Sequence, residues 1–454
     1  MTRRSTPIVS RRRALAGVAA GVTTALAGCT GLLEDEAGST TFAASEVEPI
    51  LSPSAPDPEW PVAVTPESRA LEAATDRIDE LLAAVPDSLE PADIPNGVVR
   101  EEIQTARDEA AATRSDVADA AGRDGYHALR ESRGGREHAR KAATVLGAID
   151  ADTNALVDDL EDERTDIEAA VADHLADITY RGPDTVDGRR RAALYAYRCE
   201  SDLMRVETTL ERWQTTPDLD VLELGDDGAT LEFAAATTAI WDYFDAQYEG
   251  ATDEPVTLES TFEDALERAN ERTEAVEIPD QSRDDWFEAI GVGDLDNTQL
   301  EFFLWDAGRP IDRARDGIDD ALREGHLATG LSHALELEHA TRAFAVVRDR
   351  VDGGFHVSPD SIEDVRTERE AAIEAAEAAQ EELSLTAPSL GAYRFAETLE
   401  SLGWVDSSVA RGADNDPDVN VTLGDELGDY ARIRAEFEVF PAALEAFRER
   451  LDDV

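Results

Sequence analysis

The chain repeats itself, and the repeat limits what it can fold into. Glu137-His138-Ala139 returns 201 positions later (338 − 137) as Glu338-His339-Ala340, and Ala142 and Val145 return as Ala343 and Val346. The same shift sets Val99, Ile103, Ala106 and Ala110 on Leu300, Leu304, Ala307 and Ile311. A shift of 205 sets Glu163-Arg164 on Glu368-Arg369, and one of 196 sets Ala196-Tyr197-Arg198 on Ala392-Tyr393-Arg394. A shift of 204 sets Phe233, Ile240 and Tyr243 on Phe437, Leu444 and Phe447. The offset changes only between these segments, where loops tolerate insertions. Chance register in an alanine-rich chain competes with this explanation, but shared tripeptides in the same order weigh against it. One architecture used twice is therefore expected.

That architecture reads as helical. Thr65-Pro66-Glu67 offers a cap, a proline for the first turn and an early acid. Leu71, Ala74, Ile78, Leu81 and Val85 then recur at three- and four-residue steps until Pro86. Further stripes run through Val157, Leu160, Ile167 and Val171, and through Cys199, Leu203, Val206 and Leu210. The fold expected is all-α: two tandem, internally duplicated helical bundles, 65–250 and 251–454, each with its own core. A short β-hairpin is expected near the end of each. In the first copy it would join Leu219–Leu224 to Thr230–Phe233 through Gly225-Asp226-Asp227-Gly228. Prolines 49, 53, 56, 58 and 61 make 29–64 read as an extended stalk of up to roughly 100 Å.

Residues 1–28 read as an export signal. Ser10-Arg11-Arg12-Arg13-Ala14-Leu15 precedes an uncharged run to Ala27, too short for a bilayer span of ~20 residues. The paired Arg11 and Arg12 resemble a twin-arginine motif, with Ala14 in the place of its aromatic residue. Leu26-Ala27-Gly28-Cys29 resembles a lipobox, which implies lipidation of Cys29. An ordinary secretory signal or a retained anchor is the alternative. With 100 acidic and 42 basic residues the chain carries −58. This leader and this composition together resemble haloarchaeal exported lipoproteins. At molar salt the screening length falls to about 3 Å, so the self-repulsion of such a chain largely vanishes. A disordered acidic chain is excluded by 42 % hydrophobic residues in helical register. No basic stripe follows the leader, so nucleic acid is not an expected partner.

Candidate chemistry is sparse. Glu336 and His339 have the spacing of a ferritin-type iron pair, and His138 matches His339 in the first copy, with Gly135 where Glu336 would fall. A structural histidine bonded to a carboxylate of another helix is the competing reading. Asp150, Asp152, Asn154, Asp158 and Glu161 follow the spacing of a calcium loop, but Ala155 stands where its turn needs glycine. A helix-capping turn explains the same residues. Cys199 reads as a core thiol. Calcium and iron are thus the candidate cofactors, and no catalytic set is evident.

The function expected is a membrane-anchored extracytoplasmic helical lipoprotein on the outer face of the cell membrane. It would be a non-enzymatic interaction or envelope-structure protein, its partners membrane lipid through Cys29 and a protein or small molecule. The alternative is a solute- or metal-binding accessory protein, with a site in a bundle core or between the repeats.

Overall fold

Capping residues and apolar stripes set out most of the helices. The computed structural model describes residues 40–452 apart from 150, 253, 293, 294, 296, 297, 384, 386 and 418. The leader, with Arg11, Arg12 and Cys29, lies outside the described residues. The first half holds β1 (Thr41–Ala43), α1 (Ser68–Leu82), α2 (Gly97–Asp119), α3 (Arg123–Ala148), α4 (Thr153–Asp177), β2 (Arg181–Gly182), α5 (Val186–Arg212) and α6 (Val221–Ala251). The second holds β3 (Val256–Thr257), α7 (Glu259–Glu274), α8 (Trp286–Ala289), α9 (Thr298–Glu324), α10 (Leu327–Asp352), α11 (Ile362–Leu383), α12 (Leu390–Ala413), β4 (Asn420–Thr422) and α13 (Gly424–Asp452). The fold is all-α. Side chains of Asn96, Asp152, Thr185, Asp220 and Ser389 accept from backbone N–H groups in the first turns of α2, α4, α5, α6 and α12.

The duplication is visible in the packing. α3 lies against α1, α2 and α6, and α10 lies in the same way against α7, α9 and α13. α6 packs on α4 and α5 as α13 packs on α11 and α12. The periodic residues of the sequence face inward: Ile78, Ile103, Leu160, Leu203, Ile311 and Ile318 are buried. Between α2 and α3 the chain breaks rather than bends, because Gly122 takes a φ of 60°. Gly325 does the same between α9 and α10, at 83°.

Three expectations need correction. The halves are not separately cored: one cluster of buried residues takes in Leu194, Trp241 and Phe244 together with Leu331, Phe344 and Phe437. β2 pairs antiparallel with β3, and α5 packs on both α10 and α12. Each half would otherwise leave an apolar helix face in water.

Neither hairpin forms. β4 pairs with β1, from far away in sequence, and Gly225-Asp226-Asp227-Gly228 lies inside α6. Asp220 and Glu223 close a capping box ahead of it and start the helix there. The two glycines serve close approach to α3 instead. A Cβ on Gly225 would stand 2.2 Å from Val145 Cγ2, and one on Gly228 2.8 Å from Thr144 Oγ1. Gly225→Ala is therefore expected to cost about 1–3 kcal/mol by overpacking, offset in part by roughly 1 kcal/mol of helix propensity. Adding Val145→Ala should restore part of the loss in urea unfolding, whereas strictly additive variants would mean no contact there.

Residues 40–64 are not a free stalk. β1 is held by β4, and the short 3₁₀ turns Ala44–Glu46 and Glu48–Leu51 pack on α11 and α12. Val47 and Ile50 are fully buried there. Arg191 Nε donates to Ala63 O at 2.6 Å, and Trp60 lies 5.1 Å from the Tyr393 ring. Prolines keep a segment extended, but apolar residues at 47, 50 and 64 give it a surface to cover.

Candidate functional site

The residues proposed from sequence do not converge. His138 is partly exposed on α3, with Nε2 3.5 Å from Glu109 Oε2 on α2. His339 is buried on α10, and its Nε2 donates to the Glu436 carbonyl at 2.9 Å. Burial, with Arg394 nearby, pushes the His339 imidazole down to about 4. Both behave as structural histidines. Glu336 faces arginines rather than an ion: Arg313 and Arg394 pair with it, and His333 Nδ1 lies 3.2 Å away. Burial raises its carboxyl, but these partners outweigh burial and hold it at about 2. Gly135 cannot carry a matching glutamate, since its Cβ would already meet Thr113 at 2.8 Å.

The calcium loop is absent for a geometric reason. Asp152 caps α4 by accepting from Asn154 N at 3.1 Å, and the helix runs on through Asp158 and Glu161. Nine residues of helix separate Asp152 from Glu161 by roughly 13 Å. Asn154, Asp158 and Glu161 point to solvent, and Asp150 lies outside the described residues.

A different constellation does converge. Among the described residues, one trio of His, Cys and acidic side chains brings three donor atoms within 4.8 Å of one another: His174, Cys199 and Asp245. They come from α4, α5 and α6, which pack together in the first half. His174 Nε2 lies 2.8 Å from Asp245 Oδ2 and 3.8 Å from Cys199 Sγ. Its other nitrogen, Nδ1, lies 3.2 Å from Asp242 Oδ1. The Tyr195 hydroxyl donates to the remaining Asp245 oxygen, Oδ1. The hydrogen bond to Asp245 raises the His174 pKa, against the effect of burial. Cys199 is buried, and burial first, then the charge of Asp245, pushes its thiol well up. A thiol so placed is not a nucleophile at neutral pH.

Two of the trio, Cys199 and Asp245, border a cavity of about 160 Å³ that Ile178, Thr179, Arg181 and Tyr248 also line. Tyr248 is buried and stacked on Tyr195 at 4.1 Å, and its hydroxyl has no hydrogen-bond partner among the described residues. Nothing in the sequence spacing joins these residues. Of the trio only Cys199 falls on an apolar stripe, and Phe395 replaces it in the second copy. The site therefore belongs to one half.

Next to it α5 carries Glu200 and Asp202, both buried. Glu200 accepts from Tyr180 and from the N–H groups of Ala328 and Thr329 at the start of α10, and so joins the halves. Asp202 accepts from Arg130, Arg133 and Trp241.

Two family models match the chain. Residues 69–254 are similar to a domain of unknown function, DUF8262, and residues 259–449 to another, DUF8264. The matches meet in the short linker that joins α6 to α7 and contains β3. No curated protein and no solved structure matches.

Proposed function

We propose that this is an exported, lipid-anchored helical protein that acts as a solute- or metal-binding accessory on the outer face of the cell membrane. One observation carries the binding part: three donor atoms from three helices meet beside a cavity lined by Tyr248, whose hydroxyl has no hydrogen-bond partner among the described residues. Buried polar groups take a partner from protein, water or ligand, and this one faces the cavity. Binding sites are concave and carry a few convergent polar groups. The experiment is native mass spectrometry with elemental analysis on protein purified in molar salt without chelator. One ligand per chain is expected; a bare chain that takes up neither metal nor solute would contradict the reading.

The anchor rests on Arg11, Arg12 and Cys29. With 40–64 packed on the body, only ten residues (30–39) lie between Cys29 and Thr40. A lipid on Cys29 would keep the body within about 40 Å of the bilayer. Cys29→Ser should shift the protein from the membrane to the soluble fraction. No helix among the described residues is long and apolar enough to cross a membrane.

A non-enzymatic interaction or envelope-structure role is the second reading. Phe302 and Trp404 favour it, each 68 % exposed. In either role the acidic chain is proposed to work at high salt. With −58 overall, its thermal midpoint should climb steeply from 0.1 M to molar salt as the screening length shrinks from about 10 Å to about 3 Å. A flat curve would remove the halophilic reading.

A further inference from the structure

We propose that His174 Nε2, Cys199 Sγ and Asp245 Oδ2 hold one four-coordinate divalent ion of the zinc class, with its fourth position open to the adjoining cavity. This rests on the binding reading above and names the ligand.

The donor types choose the ion. Thiolate, imidazole and a single carboxylate suit zinc and its neighbours, whereas calcium requires six to eight oxygens. The spacing agrees. Zinc bonds of about 2.0–2.3 Å give tetrahedral edges of roughly 3.3–3.6 Å. The Sγ–Nε2 distance of 3.8 Å is close to such an edge, and the Nε2–Oδ2 distance of 2.8 Å opens when an ion replaces the proton between them.

The surrounding groups are already arranged as a metal site needs. A ligating histidine places its other nitrogen on a carboxylate, which fixes the ring, and a ligating carboxylate is itself hydrogen-bonded. Asp242 Oδ1 stands 3.2 Å from His174 Nδ1, close enough to take that role by a small turn of the ring, although the two do not form a hydrogen bond as they lie. Tyr195 does the second for Asp245 through Oδ1, leaving Oδ2 for the ion. Two carboxylates and one thiolate balance a divalent ion and a neutral imidazole to within one unit of charge.

Three protein ligands and a vacant fourth position mark a zinc that meets solvent or substrate rather than a closed structural one. The cavity beside the trio, about 160 Å³, has room for water or a small oxygen-donor solute. The Tyr248 hydroxyl, which has no hydrogen-bond partner among the described residues, offers that ligand a hydrogen bond. On binding, the Cys199 thiol proton leaves to solvent as the sulfur becomes a thiolate.

Cobalt(II) is the probe, titrated into the full chain in molar salt after removal of bound metal by chelator. The expected result is one cobalt per chain, with the visible bands of a tetrahedral site and a near-ultraviolet thiolate charge-transfer band. Zinc should displace it, and Cys199→Ser should abolish the charge-transfer band. Asp245→Asn alters a half-exposed residue and spares the core; it should weaken zinc binding about tenfold or more with an unchanged helical circular dichroism spectrum. Cobalt bound without the thiolate band, or with a band that survives Cys199→Ser, would overturn the assignment. A chain that binds no metal but retains an organic solute in native mass spectra would overturn it too, and leave the binding reading standing. A chain that takes up neither would end both.

Discussion

Arg369→Met is expected to destabilise the protein by about 3–5 kcal/mol, the range for breaking a buried ion pair from one side. The guanidinium is fully buried and every part of it is engaged. Nε and Nη2 donate to the two oxygens of Asp406 at 2.8 and 2.7 Å. Nη1 donates to the carbonyls of Ile50 and Pro53 at 3.2 and 2.6 Å. Methionine would fill much of the volume but leave a carboxylate and two carbonyls short of partners, with only the Tyr430 hydroxyl still donating to Asp406. The damage should be directional. Those two carbonyls are among the ties that hold residues 40–64, beside the β1–β4 pairing and the Arg191 bond to Ala63, so limited proteolysis should cut there before it cuts α11 or α12. Adding Asp406→Leu should recover part of the loss, because the stranded carboxylate goes with it. A single variant that loses under 1 kcal/mol and keeps residues 40–64 protected would show that the apolar contacts of Val47 and Ile50 hold the segment by themselves.

Arg369 also shows what a repeat can and cannot reveal. Its partner in the first copy, Arg164, pairs with Glu168 on its own helix and lies over Trp213. The shared Glu-Arg dipeptide marked the common helix, but not that only one copy has a segment to pin. Helices were legible because burial on one face leaves a 3.6-residue period in the chain. Val157, Leu160, Ile167 and Val171 are all buried, as the period requires. The hairpin expectation fails at Gly225 and Gly228, because glycine signals a turn and a close helix crossing with the same letter; Val145 and Thr144, from another helix, decide which. The stalk expectation fails because proline spacing shows extension, not the presence of a surface to lie on. His174 and Asp245 left no trace at all. They lie 25 and 46 residues from Cys199 on separate helices (199 − 174, 245 − 199), and only packing brings them together.

Glu200 and Asp202, two residues apart on α5, should respond in opposite ways to loss of charge. Burial pushes the Glu200 carboxyl up, against the hydrogen bonds from Tyr180 and Thr329 that pull it down. Burial pushes Asp202 up as well, but Arg130, Arg133 and Arg198 outweigh it and hold the group at about 2. Glu200→Gln keeps one of the two oxygens that accept from α10, Oε1 from Ala328 or Oε2 from Thr329, and turns its NH2 toward the other donor, so it should cost about 1–3 kcal/mol. Asp202→Asn removes the charge that the guanidinium groups of Arg130 and Arg133 share and should cost about 3–5 kcal/mol. The pH dependence follows from the directions of the shifts. The folded pKa of Asp202 lies below its free value of 3.8, so its contribution is complete above that value and is lost as pH falls toward about 2. The gap between wild type and Asp202→Asn should therefore close at the acid end. The folded pKa of Glu200 lies above its free value, so its contribution is complete at low pH and declines as pH rises through the folded value. Gln cannot lose a proton, so Glu200→Gln should gain on wild type as pH rises. Urea midpoints across pH in molar salt read both trends. Equal costs for the two variants, or parallel pH curves, would mean that α5 does not hold its two carboxyls in different states. In that case the joint between the halves at Glu200 would be as ionic as the arginine cluster at Asp202.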